Sequence, residues 1–250
     1  MIVINSFLNF LNLFSVISIF NSLIAILLGT VLYLNNRKNR LHQIWLLFTL
    51  CYTFWSFSLG IMAGSPDKDY SLFWGKMLFA GAIFIPITHF HFLFIFLNKE
   101  QKYKRLLKIG YLASVFFFFS NFTKYFVLET RPILSFAYWT KAGILMYPFM
   151  LMFIGIVILA ILELIKSYQR EVGLYRSQIK YLLMATTIGY AGGITNFLPT
   201  FNIAIYPYGN FIAPLSIILI AYAVFKYRLM DIDVVYRKGA IYFAGLLFIL

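Results

Sequence analysis

Acidic side chains are scarce in this sequence: eight Asp and Glu stand against 21 Lys and Arg, and charged residues make up only 12% of 250 positions. With 62% of the chain hydrophobic and a mean hydropathy of +0.84, a water-soluble domain of this length is excluded and a polytopic membrane protein is expected. Cys51 is the single cysteine, so neither a disulfide framework nor a cysteine metal cluster is available. There is no nucleophile elbow, no H-E-x-x-H and no P-loop, so no catalytic residue, metal or cofactor is expected. The N-terminus, "MIVINSFLNFLNLF", lacks a cationic n-region and its apolar run reaches Leu34, which is too long for a cleaved signal peptide.

What is abundant is apolar length. A helix needs about 20 apolar residues to cross a bilayer core of about 30 Å. Seven windows qualify: Leu11–Leu34, Leu41–Ala63, Phe73–Leu97, Lys108–Phe126, Ala142–Ile165, Ile179–Leu198 and Tyr208–Tyr227. The expected fold is therefore an all-α seven-transmembrane helix bundle over residues 1–227. The loops set its orientation. With the N-terminus outside, the inner segments hold Arg37, Lys38 and Arg40, the cations from Lys99 to Lys108, those from Lys166 to Lys180, and Lys226, Arg228, Arg237 and Lys238. That is 16 of the 21 cations, so the positive-inside rule puts the N-terminus outside and the C-terminus in the cytoplasm. The rule also absorbs the net charge of +13 by facing it to anionic lipid, and a nucleic-acid partner is not required. The outer segments "GSPDKDYSL", "ETRPILSFAYWTK" and "PTFNIAIYPYG" read as loops too short for a separate domain. Trp74, Tyr138, Trp139, Tyr206 and Tyr208 read as an interfacial aromatic belt on that side.

Polar residues inside the windows are the candidates for function. No Asp, Glu, Lys or Arg falls mid-membrane, which weighs against an ion-coupled transporter, the runner-up reading. Lys180 and Lys226 lie at helix ends, which removes a retinal-type Schiff base. Glu163 sits near an inner end and reads as a solvated pair with Lys166. His89 and His91 lie in "FIPITHFHFLF", and at i, i+2 they point about 200° apart on a helix, so they cannot share one metal. Each is either an interhelical hydrogen-bonding residue or a ligand or pH contact. An intramembrane enzyme using one of them on lipid is a third, weaker alternative. Pro86 is expected to kink the helix just before them. In "LMATTIGYAGGITNFLP", Gly189 and Gly193 form a G-x-x-x-G that predicts close helix packing. Tyr190 and Asn196 beside them are candidate ligand contacts, and the ligand cavity is expected in the outer half of the bundle near Asn196. Downstream, "YRLMDIDVVYRK" pairs Arg228 with Asp231 and Asp233 with Arg237 at helical spacing. Phe225, Leu229, Ile232 and Tyr236 form an apolar stripe along it.

A resemblance rests on these motifs. "QIKYLLMATTIGYAGGITNFLP", "YPYGN" and "PLSIILIAYAVFKYRLMDIDVVYRKGAIYF", taken in order, are similar to the N-terminal seven-transmembrane sensor region of bacterial membrane histidine kinases, and "FIPITHFHFLFIF" is similar to that region's third helix. The resemblance implies a sensory input module in a bacterial cytoplasmic membrane, part of a two-component system. It implies a homodimer with a cytoplasmic kinase output, driven through a juxtamembrane signalling linker at residues 228–239. Residues 240–250 read as the start of a further, eighth, apolar helix or of the output connection in a longer protein. The stimulus expected for such a module, with its short outer loops and aromatic, uncharged interior, is a small apolar or amphipathic ligand or a bilayer property.

Overall fold

The computed structural model describes residues 12–227. Chain order is α1 (Leu13–Asn35), α2 (Arg40–Gly64), α3 (Lys68–Ala82), α4 (Ile85–Phe96), α5 (Glu100–Asn121), a hairpin of β1 (Val127–Ile133) and β2 (Phe136–Ala142), α6 (Met146–Arg170), α7 (Gly173–Thr195), a 3₁₀ turn at Pro199–Phe201, and α8 (Gly209–Tyr227). Each apolar window of the sequence overlaps a helix, with α3 and α4 sharing the third. Taken alone, α1, α2, the α3–α4 unit and α6 are long and apolar enough to cross a membrane.

Helix α1 is built inside out relative to a helix of a soluble protein. The buried face of α1 carries Ser15, Ser18, Asn21, Ser22, Ala25 and Gly29, while Leu13, Phe20, Leu23 and Leu27 point outward. Small polar residues let backbones approach and satisfy one another where no water reaches. Ser56 on α2 donates to the Ser18 carbonyl at 2.8 Å. Asn210, in the first turn of α8, donates to Ser18 Oγ at 2.9 Å, and Asn21 donates to the Asn210 carbonyl at 3.2 Å. Thus α1 clips α2 on one side and the start of α8 on the other. Side chains as exposed as Leu112 (71%) and Leu151 (75%) make an apolar outer surface suited to lipid, and the chain is a membrane protein.

The expectation of an all-α chain needs correction. The segment Glu129–Lys141, expected as a loop, forms most of the antiparallel hairpin, which pairs Glu129 with Lys141, Thr130 with Thr140 and Arg131 with Trp139. Its signal was masked by Pro132, a residue that cannot donate to a ladder; the structure accommodates it at a register irregularity between Arg131 and Ile133. Two strands alone are marginal in water, and here they are fastened to the bundle. Ser71 donates to the Tyr138 carbonyl at 3.2 Å, Thr130 to the Lys68 carbonyl at 3.2 Å, and Trp139 Nε1 to Thr200 Oγ1 at 3.1 Å. Trp139 is only 1% exposed, so it plugs the end of the bundle rather than joining an aromatic belt. Phe14 meets it edge-on and Phe136 at a tilt, with Tyr206 stacked on Phe136. On the hairpin's wet face, a hydrogen bond from Lys141 at 3.1 Å holds the Glu129 carboxyl below the usual carboxylate range.

Glycines set the α7–α8 contact, and of the two singled out by the motif Gly189 takes part while Gly193 does not. Gly192 and Gly209 meet backbone to backbone; a Cβ on Gly192 would lie 2.9 Å from the Gly209 carbonyl oxygen, and one on Gly209 would run into the Gly192 backbone. A Cβ on Gly189 would sit 3.3 Å from the Ser216 side chain, whereas one on Gly193 would meet nothing within 4 Å. Gly209→Ala should therefore cost about 1–3 kcal/mol by overpacking. Gly193→Ala should be neutral, or stabilising by up to about 1 kcal/mol through helix propensity. Thermal unfolding of the two variants in detergent checks this, and equal losses would contradict the assignment.

Candidate functional site

The α3–α4 unit breaks where proline requires it. Pro86 has no N–H to give to the Ala82 carbonyl and its ring would clash there, so α3 stops at Ala82 and α4 restarts at Ile85 with Pro86 in its first turn. The Thr88 hydroxyl donates to the Phe84 carbonyl at 2.7 Å, adding to the bond from its own N–H at 3.0 Å. One turn beyond, the two histidines diverge, as their spacing dictates.

His91 faces the α5 side. Its Nδ1 lies 3.0 Å from Tyr111 Oη and its Nε2 lies 3.2 Å from Glu100 Oε1, an oxygen that Arg40 also reaches at 2.6 Å. Close by, the α4–α5 turn passes through Asn98 in the left-handed region (φ 54°), a conformation Asn tolerates. Lys99 follows and donates to Glu163 at 2.7 Å and to Ser167 Oγ at 2.8 Å. Tyr103 donates to the other Glu163 oxygen at 2.8 Å. The Glu163 side chain is 4% exposed, with Lys166 at 3.7 Å and itself 58% exposed. The carboxylate is therefore a buried knot tying the α4–α5 turn to α6, and the expected solvated pair with Lys166 is secondary.

His89 faces inward. It stands between Phe48 on α2, at a ring-centroid distance of 4.8 Å, and Tyr190 on α7, at 5.5 Å. Beside it lies a cavity of about 80 Å³. Its walls come from α2 (Phe48, Tyr52, Trp55), the break and α4 (Ala82, Ile85, His89), Phe153 on α6, the Ala185–Gly193 face of α7, and Ala213, Ser216 and Ile220 on α8. No Asp, Glu, Lys or Arg lines it. The space exists because Gly193 projects nothing into it. Three polar atoms on its lining residues are buried without a hydrogen-bond partner: Tyr52 Oη, His89 Nδ1 and Thr186 Oγ1. Leaving such groups unmatched costs on the order of 1–3 kcal/mol each, so this is the polar focus of an otherwise apolar chamber.

The structure thus brings His89 and Tyr190 together and separates them from His91 and Asn196. Asn196 caps α7 and borders a much smaller space, about 10 Å³, filled largely by Trp139, Phe79 and Phe197. At the hairpin end of the bundle the space beside Asn196 is small and walled by Trp139, and the roomier cavity at His89 lies farther along the bundle. Tyr52, Thr186 and Ser216 were missed because interior and lipid-facing sides are both apolar here, so periodicity gives little sign of which face looks inward. Arg228, Asp231, Asp233 and Arg237 lie outside the described residues. Among those described, no group of three His, Cys, Asp or Glu is placed to hold a metal ion.

A model of the N-terminal 7TM region of histidine kinase matches residues 17–233 of the chain. No curated protein and no solved structure matches it.

The Glu163 knot yields a ranked expectation. Removing one partner of a buried pair strands the other, typically at 3–5 kcal/mol, whereas an exposed partner contributes about 0–1 kcal/mol. With Lys99 24% exposed, Lys99→Met should cost about 2–3 kcal/mol and Lys166→Met less than about 1 kcal/mol. Thermal unfolding of both variants would show this order, and a Lys166 effect equal to or above that of Lys99 would refute it.

Proposed function

This chain belongs to the family of N-terminal 7TM regions of histidine kinases, and from that premise we propose that it is a sensory input module that reads a small apolar or amphipathic molecule within the membrane. The observation that carries the reading is the makeup of the cavity wall. Helices α2, α4, α6 and α7 supply most of it, but Ala213, Ser216 and Ile220 belong to α8, the helix that runs toward the linker at residues 228–239. A molecule entering this space would press on the helix nearest the output. That helix packs chiefly on α7 and secondarily on α1. A transporter would need a polar path, and the uncharged lining disfavours one.

In this reading the helical segments make seven spans, with the hairpin outside and the α4–α5 turn in the cytoplasm of a bacterium. Two features support it. The hairpin and the turn lie at opposite ends of α5, and the segments assigned inside hold 16 of the 21 cations. The relay is the segment "YRLMDIDVVYRK" acting as a continuous helix beyond α8, within a homodimer whose partner helices meet along Leu229, Ile232 and Tyr236.

Cysteines placed between Lys99 and Arg105 should react with an impermeant maleimide only in inverted vesicles; labelling of intact cells would overturn the orientation. The relay is tested through helical phase. One residue inserted between Arg228 and Asp231 turns everything downstream by about 100°, and seven restore the phase to within about 20°. Autophosphorylation of the full-length kinase should be lost or locked by the first insertion and recovered by the second. If both insertions leave regulation intact, the linker is a tether and not a rod.

A further inference from the structure

The cavity at His89 carries more information than its size. Its polar atoms come from three helices: Tyr52 on α2, His89 on α4 and Thr186 on α7. All three are buried and unpartnered. Thr186 is the telling one. A threonine in a helix ordinarily bonds its hydroxyl back to the carbonyl one turn earlier, as Thr88 does in α4. Thr186 does not, and it lies on the same face of α7 as Gly189, Tyr190 and Gly193, all lining residues.

From this arrangement we propose that the cavity is a binding site for a small neutral molecule with an apolar body and one hydroxyl or carbonyl group, held by Tyr52, His89 and Thr186. The assignment rests on reading the cavity as the sensory site and narrows the chemical class of what is sensed. Neutrality follows from the lining: an ion would enter a chamber without a countercharge, which is far more costly than burying a neutral group. The hydroxyl or carbonyl follows from the three groups. Tyr52 and Thr186 can donate or accept, and His89 Nδ1 can do either according to tautomer, so one oxygen can satisfy two of them. Size follows from the volume. An engineered cavity of about 150 Å³ holds benzene; about 80 Å³ suits a chain of a handful of non-hydrogen atoms. Water alone fits less well. Each buried water wants two to four polar partners, so three groups anchor one or two waters and leave the remaining volume against Phe48, Phe153 and Ile220.

The test uses the full-length kinase in lipid nanodiscs with a short photoreactive probe, a four-carbon alcohol bearing a diazirine, and mass spectrometry to map its adducts. Labelling should saturate and fall on cavity residues such as Tyr52 or Tyr190. Competition by 1-butanol should exceed that by pentane, its isostere without a hydroxyl, by about tenfold, a typical margin for one satisfied buried hydrogen bond. Tyr52→Phe with Thr186→Val should bring that ratio close to one. Gly193→Val, at a position with open space for a side chain, should abolish cavity labelling while keeping the parent's thermal stability. Equal competition by butanol and pentane would overturn the assigned class. Non-saturating adducts confined to lipid-facing residues such as Leu112 and Phe119 would overturn the site, leaving water as the occupant. Autophosphorylation, measured alongside, separates the two readings: saturable, hydroxyl-selective binding with no change in output would sink the sensory role and leave this site standing.

Discussion

Inside a bilayer no water is present to satisfy a stray hydrogen-bonding group, so every helix must hide its polar atoms against another helix. That one requirement arranges most of this molecule. It places Ser15, Ser18, Asn21 and Ser22 of α1 inward and its leucines outward. It joins Ser56, Ser18 and Asn210 across three helices. It also explains why Glu163 sits in a cage of Lys99, Tyr103 and Ser167 although its helix is otherwise apolar. Polar contacts here do not decorate a hydrophobic core. They decide which helices are neighbours, because apolar side chains find lipid and protein about equally agreeable.

Ser15, Ser58 and Trp45 also bury an unpartnered polar atom, but around His89 three such atoms belong to residues lining one open space. Elsewhere the buried amides use at least one of their groups: Asn21, Asn121 and Asn210 each donate through Nδ2 to a backbone carbonyl. At the cavity, three side chains from three helices are left without a partner, next to open space and beside a glycine that fills none of it. The two ends of the bundle are closed differently. Trp139 and its aromatic neighbours seal one end by bulk, while ion pairs through Glu100 and Glu163 tie the other by charge.

Much of this was legible in the sequence. Apolar windows overlap all the helices, and Pro86 marked the break. The i, i+2 spacing of His89 and His91 foretold that they serve different surroundings. The hairpin was not legible, since Pro132 interrupts a short alternation and the register irregularity that rescues it is a tertiary detail. Gly189 packs on Ser216 as its spacing suggested, but Gly193 meets nothing, because a spacing does not say which side of the helix faces a neighbour. Gly192, one residue away, makes the backbone contact through Gly209, a residue distant in sequence. Tyr52 and Thr186 were hidden for the same reason. Where both faces of a helix are apolar, composition does not reveal which looks inward.

The attachment of α8 has a mechanical consequence. Its first turn is fixed twice, by Asn210 to α1 and by Gly209 to α7, where the Gly209 amide also donates to Thr195 at 3.1 Å. At about 1.5 Å per residue, Ser216 and Ile220 lie roughly 9 and 15 Å from that fixed point, and Tyr227 roughly 25 Å. A rod hinged at one end multiplies displacement by the ratio of its arms. With the Tyr222 ring 5.1 Å from that of Tyr181 on α7 as a softer second hold, a push of about 1 Å at the chamber wall would become at most about 2–3 Å at Tyr227, without any stretching of the backbone. Those are the proportions of a lever with its fulcrum at the hairpin end, its load at the far end of α8 and the point of effort between them.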